Sequence, residues 1–294
     1  MRPDHFSVSV PGTSANLGPG FDAVGIALNV RMHARITPAP RFSLQFTANE
    51  HAPTHDGLAT LILGAFDRIT TRRPKIAIEI DNAIPLGKGL GSSAAATALG
   101  CAIAAQATQA TSTREHLADL VCAVEGHPDN ALPAIYGGII IAANARSFMR
   151  IVAKPTLRIF ITVPELDFAT IKARAVLPAQ YKQDDVVFTA QHAALLGAAL
   201  ASGNYAMLAD AMRDRVHQPY RAQHMPGVAH ALELTHRDLY GIALSGAGPS
   251  VIAFVRNRAN ASLSQRIEAC FTEAGVLSRT LSLRPTPRGL VYAP

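Results

Sequence analysis

The sequence predicts an α+β fold in two lobes. Runs of period 2 and runs of helical period follow one another without the regular βαβ alternation of a doubly wound sheet. A chain of 294 residues, 49% hydrophobic and only 16% charged, is long enough for one large domain or two ordinary ones. Pro155 falls between two strand-like runs and marks the expected boundary, separating residues 1–155 from residues 156–294.

Each element has its own warrant. Residues 6–10 alternate through Phe6, Val8 and Val10; residues 31–37 alternate again; residues 42–46 place Phe42, Leu44 and Phe46 on one face. Between the first two runs, segment 11–24 is rich in Gly and Pro and reads as an irregular loop with apolar ends. Residues 56–69 carry Leu58, Leu61, Ile62 and Ala65 at helical spacing, and 75–80 return to a strand through Ile76, Ile78 and Ile80. A Gly-rich turn over 86–91 then enters a small-residue helix over 92–107. Ser112 with Glu115 forms a capping box, and Leu117, Leu120, Val121 and Val124 make one stripe of a helix that Gly126 ends. Strands are expected over 136–143 and 157–163, and helices near 188–201, 205–213 and 227–234. Strands over 241–244 and 250–255 flank a second Gly-rich turn, followed by a helix near 259–274 and strands near 277–283 and 289–292.

Composition excludes several classes. The first residues lack the unbroken apolar stretch of a secretion signal, and the longest apolar region, 94–107, rests on Ala and is broken by Thr97, Gly100 and Gln106. No membrane association is expected. Cys101, Cys122 and Cys270 are far apart and form neither a disulfide framework nor a CxxC pair, which fits a reducing cytoplasm. The formal charge is +6, but the basic residues are scattered, with Arg72, Arg73 and Lys75 the densest group and no interleaved aromatics. No nucleic-acid partner is expected; an anionic small substrate accounts for the charge.

The strongest local signal is Pro85-Leu86-Gly87-Lys88-Gly89-Leu90-Gly91-Ser92-Ser93-Ala94-Ala95-Ala96. It runs from a strand through three alternate glycines into a helix, so backbone can approach a ligand and open N–H groups at the helix start favour an anion. The spacing is neither that of a Walker A loop nor that of a dinucleotide fingerprint. A tight packing turn is the competing explanation, and the paired serines favour phosphate. Ser245-Gly246-Ala247-Gly248-Pro249-Ser250 is a second glycine turn, which alone reads as a hairpin. Glu125 sits in the last turn of its helix, where the dipole disfavours an anion. A Mg²⁺ ion beside phosphates would remove that penalty, whereas a solvated carboxylate at a frayed end explains it equally well. Asn16 and Asp22 are ordinary turn residues in a loop long enough to press against something, and His127, Asp129 and Asn130 form a polar cluster after Gly126.

Taken in order, residues 11–22 (Pro-Gly-Thr-Ser-Ala-Asn-Leu-Gly-Pro-Gly-Phe-Asp), the 87–96 loop, Glu125-Gly126-His127-Pro128-Asp129-Asn130 and Leu244-Ser245-Gly246-Ala247-Gly248-Pro249-Ser250 resemble the motifs of the GHMP kinases. The match runs from residue 11 to about residue 255, and the 13–22 stretch is similar to the members that phosphorylate homoserine. That resemblance implies an N-terminal lobe like ribosomal protein S5 domain 2, a C-terminal ferredoxin-like lobe and a site between them. It implies ATP and Mg²⁺ as cofactors, and transfer to the hydroxyl of L-homoserine, a step of threonine biosynthesis. It also implies a homodimer, with no interface marked in the sequence. On its residues, positions 85–95 hold the phosphates, Ser93 (rather than Ser92) and Glu125 hold the metal, and Asn16, Asp22, His127, Asp129, Arg174 and Arg221 form the amino-acid pocket. Asp129, Arg174 and Arg221 are the expected catalytic groups, with Asp129 as candidate base. The 125–130 segment is the short form of its motif, since some members carry extra residues there.

Two other readings stay open: a kinase of the same family acting on threonine, a mevalonate derivative or a sugar, and a non-catalytic RNA-binding protein on an S5-like lobe. An ammonium partner at Asp22 speaks for an amino acid, and Glu125 and Asp129 are superfluous in a binding module.

Overall fold

The structure, a computed structural model, describes residues 5–47, 56–166 and 170–294. The elements in chain order are β1 (Phe6–Ala15), β2 (Val24–Pro38), β3 (Ser43–Phe46), α1 (Asp56–Ile69), β4 (Ile76–Asn82), α2 (Ser92–Thr108), α3 (Arg114–Glu125), α4 (Pro128–Tyr136), β5 (Ile139–Ala142), β6 (Phe148–Ile151) and β7 (Leu157–Pro164). Then follow α5 (Thr170–Ala175), α6 (Gln183–Ser202), a 3₁₀ turn (Tyr205–Met207), α7 (Leu208–Ala211), α8 (Gln218–Ala222), α9 (Val228–Leu232), β8 (Leu239–Leu244), β9 (Val251–Arg256), α10 (Ala261–Thr272), β10 (Ser278–Leu283) and β11 (Val291–Ala293).

Two sheets organise these elements. The first runs β11-β1-β2-β4-β3, with β5 joined to β2 and β6 to β5. The second runs β10-β7-β9-β8, antiparallel throughout. Its strands are read in the order β, helices, β, β, helix, β, which is the ferredoxin-like arrangement. Because β11 pairs with β1, the end of the chain returns to the first sheet. Strands β7 and β9 read as unbroken apolar runs because both their faces are covered: Ile159, Ile161, Ile252 and Phe254 join the core of the first sheet, while Phe160, Val251, Ala253 and Val255 pack with Leu263, Ile267 and Phe271.

Helix α2 is buried at every position from Ala94 to Ala105. A helix of Ala, Gly and Thr with apolar residues all round belongs inside a protein. Its approach to α1 is close enough that a Cβ on Gly100 would stand 2.2 Å from the Ile62 carbonyl oxygen.

Several sequence expectations are corrected. Strand β1 does not stop at residue 10 but continues to Ala15, shifting register between Pro11 and Thr13, so that a bulge absorbs the Pro-Gly pair that reads as a break. Thr113, not Ser112, caps α3, its hydroxyl accepting from the His116 N–H at 3.2 Å. The expected strand over 136–143 is the end of helix α4 followed by β5. Pro128 opens α4, and Pro133 lies inside it, where a proline normally signals a stop. The expected helix over 205–213 is a 3₁₀ turn and the single turn α7, and β6, α5 and α8 were not anticipated.

Candidate active site

The Gly-rich loop leaves β4 and enters α2 with Gly87, Gly89 and Gly91 all left-handed (φ +66°, +73° and +64°). Packing demands two of them. A Cβ on Gly89 would lie 2.0 Å from the Ser245 carbonyl oxygen, and one on Gly91 would lie 1.9 Å from Thr13 Oγ1. A Cβ on Gly87 meets nothing within 4 Å, so the open side of the loop is there. Gly91 caps α2 without any side-chain hydrogen bond, which leaves the helix start available to an anion. The loop residues differ in what they can offer. Leu90, Ala94 and Ala95 turn their side chains into the core, and the Ala95 N–H already donates to the Gly91 carbonyl. Lys88 Nζ donates to the Leu166 carbonyl.

Both glycine turns and the first strand meet. Thr13 N–H donates to the Leu90 carbonyl at 3.0 Å, and Thr13 Oγ1 donates to Asn130 Oδ1 at 2.7 Å. Ser245 Oγ donates to the Gly89 carbonyl at 2.7 Å and lies 2.8 Å from Ser14 Oγ. Asn16, bridged to Ser245, donates through Nδ2 to the Gly246 carbonyl at 2.8 Å and accepts the Asp22 N–H through Oδ1 at 3.0 Å. Asn16 therefore fixes the loop that carries Asp22 to the turn between β8 and β9.

Ser93, in the first turn of α2, donates to Glu125 Oε1 at 2.7 Å. Burial pushes the Glu125 carboxyl above the usual carboxylate range, with the Ser93 hydrogen bond opposing that rise. Among the described residues no Lys or Arg pairs with Glu125. A hydroxyl and a carboxylate without a Lys or Arg partner among the described residues are hard oxygen donors of the kind Mg²⁺ takes, so the pair fits that ion.

Asp129 lies in the first turn of α4, where an anion is favoured, and is 1% exposed. Gly25 of β2 passes against it: a Cβ there would stand 1.7 Å from the Asp129 carbonyl oxygen. His127 Nδ1 is hydrogen-bonded to Asp129 Oδ1, and this contact holds the imidazole above its ordinary pKa. One ligand atom from each of Asp22, His127 and Asp129 lies within 4.8 Å of the others. Such a group of acceptors suits a small cation, whether a metal ion or an alkylammonium.

The two arginines differ in character. Arg174 Nη2 lies 2.9 Å from both oxygens of Asp22 and is 54% exposed along its side chain. Arg221 is 2% exposed, donates through Nε to the Ala173 carbonyl at 3.0 Å, and has no carboxylate within ion-pair distance among the described residues. Both guanidinium groups lie over the Phe21 ring, at 5.4 and 5.1 Å from its centroid. A buried guanidinium without an anionic partner costs about several kcal/mol unless a ligand supplies the charge.

Of the expected site residues, Asn16, Asp22, His127, Asp129, Arg174 and Arg221 form one connected group, Ser93 pairs with Glu125, and Leu90, Ala94 and Ala95 face the core instead. Sequence reasoning missed Thr13, Ser14, Phe21 and His217. The spacing of His217 and Arg221, four apart with Pro219 between them at a helix start, carried the only local hint of the last.

Comparison with known proteins shows the family. The family description "GHMP kinases N terminal domain" matches residues 57–138, and "GHMP kinases C terminal" matches residues 196–271. A protein of Solibacter usitatus called homoserine kinase is 40% identical, covering 97% of this chain and 96% of its own. The homoserine kinase of Deinococcus radiodurans is 36% identical over the same shares. The crystal structure of homoserine kinase from Cytophaga hutchinsonii superposes with a TM-score of 0.83, covering 99% of this chain and 98% of that one; at 24% identity it speaks for the fold.

Proposed function

The chain belongs to the GHMP kinases, a family of phosphotransferases, and on that premise we propose that it moves the γ-phosphoryl group of ATP onto the side-chain hydroxyl of L-homoserine. The observation that carries the acceptor is the charge pattern of the cleft. Buried Arg221 has no carboxylate within ion-pair distance among the described residues, while Asp22, His127 and Asp129 present acceptors a few ångströms apart. An amino acid with a short hydroxylated side chain supplies the complement: carboxylate to Arg221 and Arg174, ammonium to Asp22 and Asn16, and hydroxyl towards Asp129.

In the reaction, the hydroxyl oxygen bonds to the γ-phosphorus as the bond to the bridging β,γ-oxygen breaks. Asp129 accepts the hydroxyl proton; His127 holds Oδ1, so Oδ2 is the free oxygen. Loop N–H groups around Gly87 and at the start of α2 take up the charge of the phosphates, and positioning does most of the work. Ser93 and Glu125 would hold Mg²⁺, which neutralises phosphate charge when bound.

Homoserine-dependent ADP release by the wild type and by Asp129→Asn tests this reading. Loss of a general base lowers kcat by roughly a hundredfold or more. A smaller fall leaves Asp129 only an orienting role, and no homoserine turnover by the wild type removes the acceptor from the proposal.

A further inference from the structure

His217 is fully buried, yet every polar atom of its ring has a partner. Nε2 lies 2.7 Å from the Gly18 carbonyl oxygen, which can only accept, so Nε2 carries the proton. Nδ1 lies 3.2 Å from Arg221 Nη1, which can only donate, so Nδ1 carries a lone pair. The two contacts together define one neutral tautomer. Burial, which also lowers the pKa of this imidazole, is consistent with it.

The position of the ring is equally determined. Asp214 accepts from the backbone N–H of Val216, His217 and Gln218 at 2.7–2.9 Å, fixing the turn that leads into α8, and its carboxylate lies 3.6 Å from Nε2. Gln218 accepts the Leu244 N–H at 2.8 Å, tying α8 to the strand that enters the second glycine turn. The ring stacks on Phe21 at a centroid distance of 5.0 Å, one residue before Asp22. The charged groups around it are Asp214, Arg221 and Asp22.

We infer that His217 is a positioning residue for the substrate carboxylate: its neutral imidazole accepts Arg221 and donates to Gly18, holding the guanidinium in register with the loop that carries Asp22. The inference rests on the homoserine reading, in which Arg221 meets the carboxylate and Asp22 the ammonium. Without the imidazole, Nη1 keeps only the Gly246 carbonyl at 3.4 Å, and the guanidinium can rotate about its bond to Ala173.

Two amide substitutions separate the two ring contacts. His217→Gln keeps a donor where Nε2 was and loses the acceptor for Arg221; His217→Asn keeps that acceptor and loses the donor. The expected result is a homoserine KM raised about tenfold in His217→Gln and only about threefold in His217→Asn, the larger figure matching one hydrogen bond to a charged group. The KM for ATP should move less than twofold in both, and the Gln effect should vanish when Arg221→Lys is already present. Equal effects of Gln and Asn, a parallel rise in the ATP KM, or no change in homoserine KM would each overturn the inference. Nitrogen-15 NMR of the wild-type ring is independent of how the variants fold: it should report Nε2–H and a bare Nδ1 from about pH 6 to 8, and a charged ring or the other tautomer is contrary evidence. Absence of homoserine turnover in the wild type would defeat the proposed function, whereas normal turnover with an indifferent His217→Gln would defeat only this inference.

Discussion

Asn16, Leu17 and Asp22 are three non-glycine residues with left-handed backbone (φ +69°, +52° and +57°) within one loop. Asn and Asp tolerate that region; Leu does not, and such strain persists where surroundings impose it. Here the surroundings are the bond from Asn16 to Gly246 and the burial of Leu17. The sequence marked Asn16 and Asp22 by residue type and resemblance, but it could not mark the strain, which depends on contacts more than 200 positions away. Glu125 was legible for a physical reason: it stands against its helix dipole. Its consequence can be measured in the metal-free protein. A carboxyl whose folded pKa is raised makes the folded state costlier above that pKa, and the cost disappears as pH falls through it. Glu125→Gln should therefore raise the thermal midpoint at pH 7.5, and raise it by less at pH 5. A lower midpoint at pH 7.5, measured calorimetrically, would show that the carboxylate is stabilising.

At the level of elements, periodicity recovered most strands and helices because they bury one regular face. It failed where rules conflict. Helix α4 begins at Pro128 and contains Pro133, so no helix was expected there, while the packing of Ala131, Leu132, Ala134 and Ile135 decided for one. Ser112 was read as a cap because Glu115 lies three residues on, but Thr113 occupies the extended cap position. Two glycines separate structural from functional demands. Gly100→Ala forces α2 away from Ile62 and should cost about 1–3 kcal/mol of overpacking, lowering the thermal midpoint while leaving kcat per folded molecule unchanged. Gly89→Ala drives the loop off Ser245 and should raise the KM for ATP at least about tenfold with a smaller change in midpoint. Equal kinetics in the two variants would mean that the loop geometry does not matter for the nucleotide.

Across the whole molecule, the site exists only because both sheets contribute to it. Asn16 follows β1 of the first sheet, Gly246 follows β8 of the second, and Arg221 lies on a helix preceding β8. No single stretch of sequence contains this junction, which is why four separate motifs had to be read together before a cleft could be expected. The ferredoxin-like order of the second sheet was likewise implied by resemblance, since strand pairing between residues as far apart as Leu157 and Arg256, or Ile159 and Leu283, leaves no local trace. No helix among the described residues is long and apolar enough to cross a membrane. The central claim is the acceptor. Steady-state ADP release with L-homoserine, L-threonine, mevalonate and galactose, each at saturating ATP and Mg²⁺, tests it most directly. The charge pattern of the cleft predicts a kcat/KM for L-homoserine at least about a hundredfold above any other acceptor, the discrimination expected when buried polar groups go unpaired; a higher value for any of the other three would contradict it.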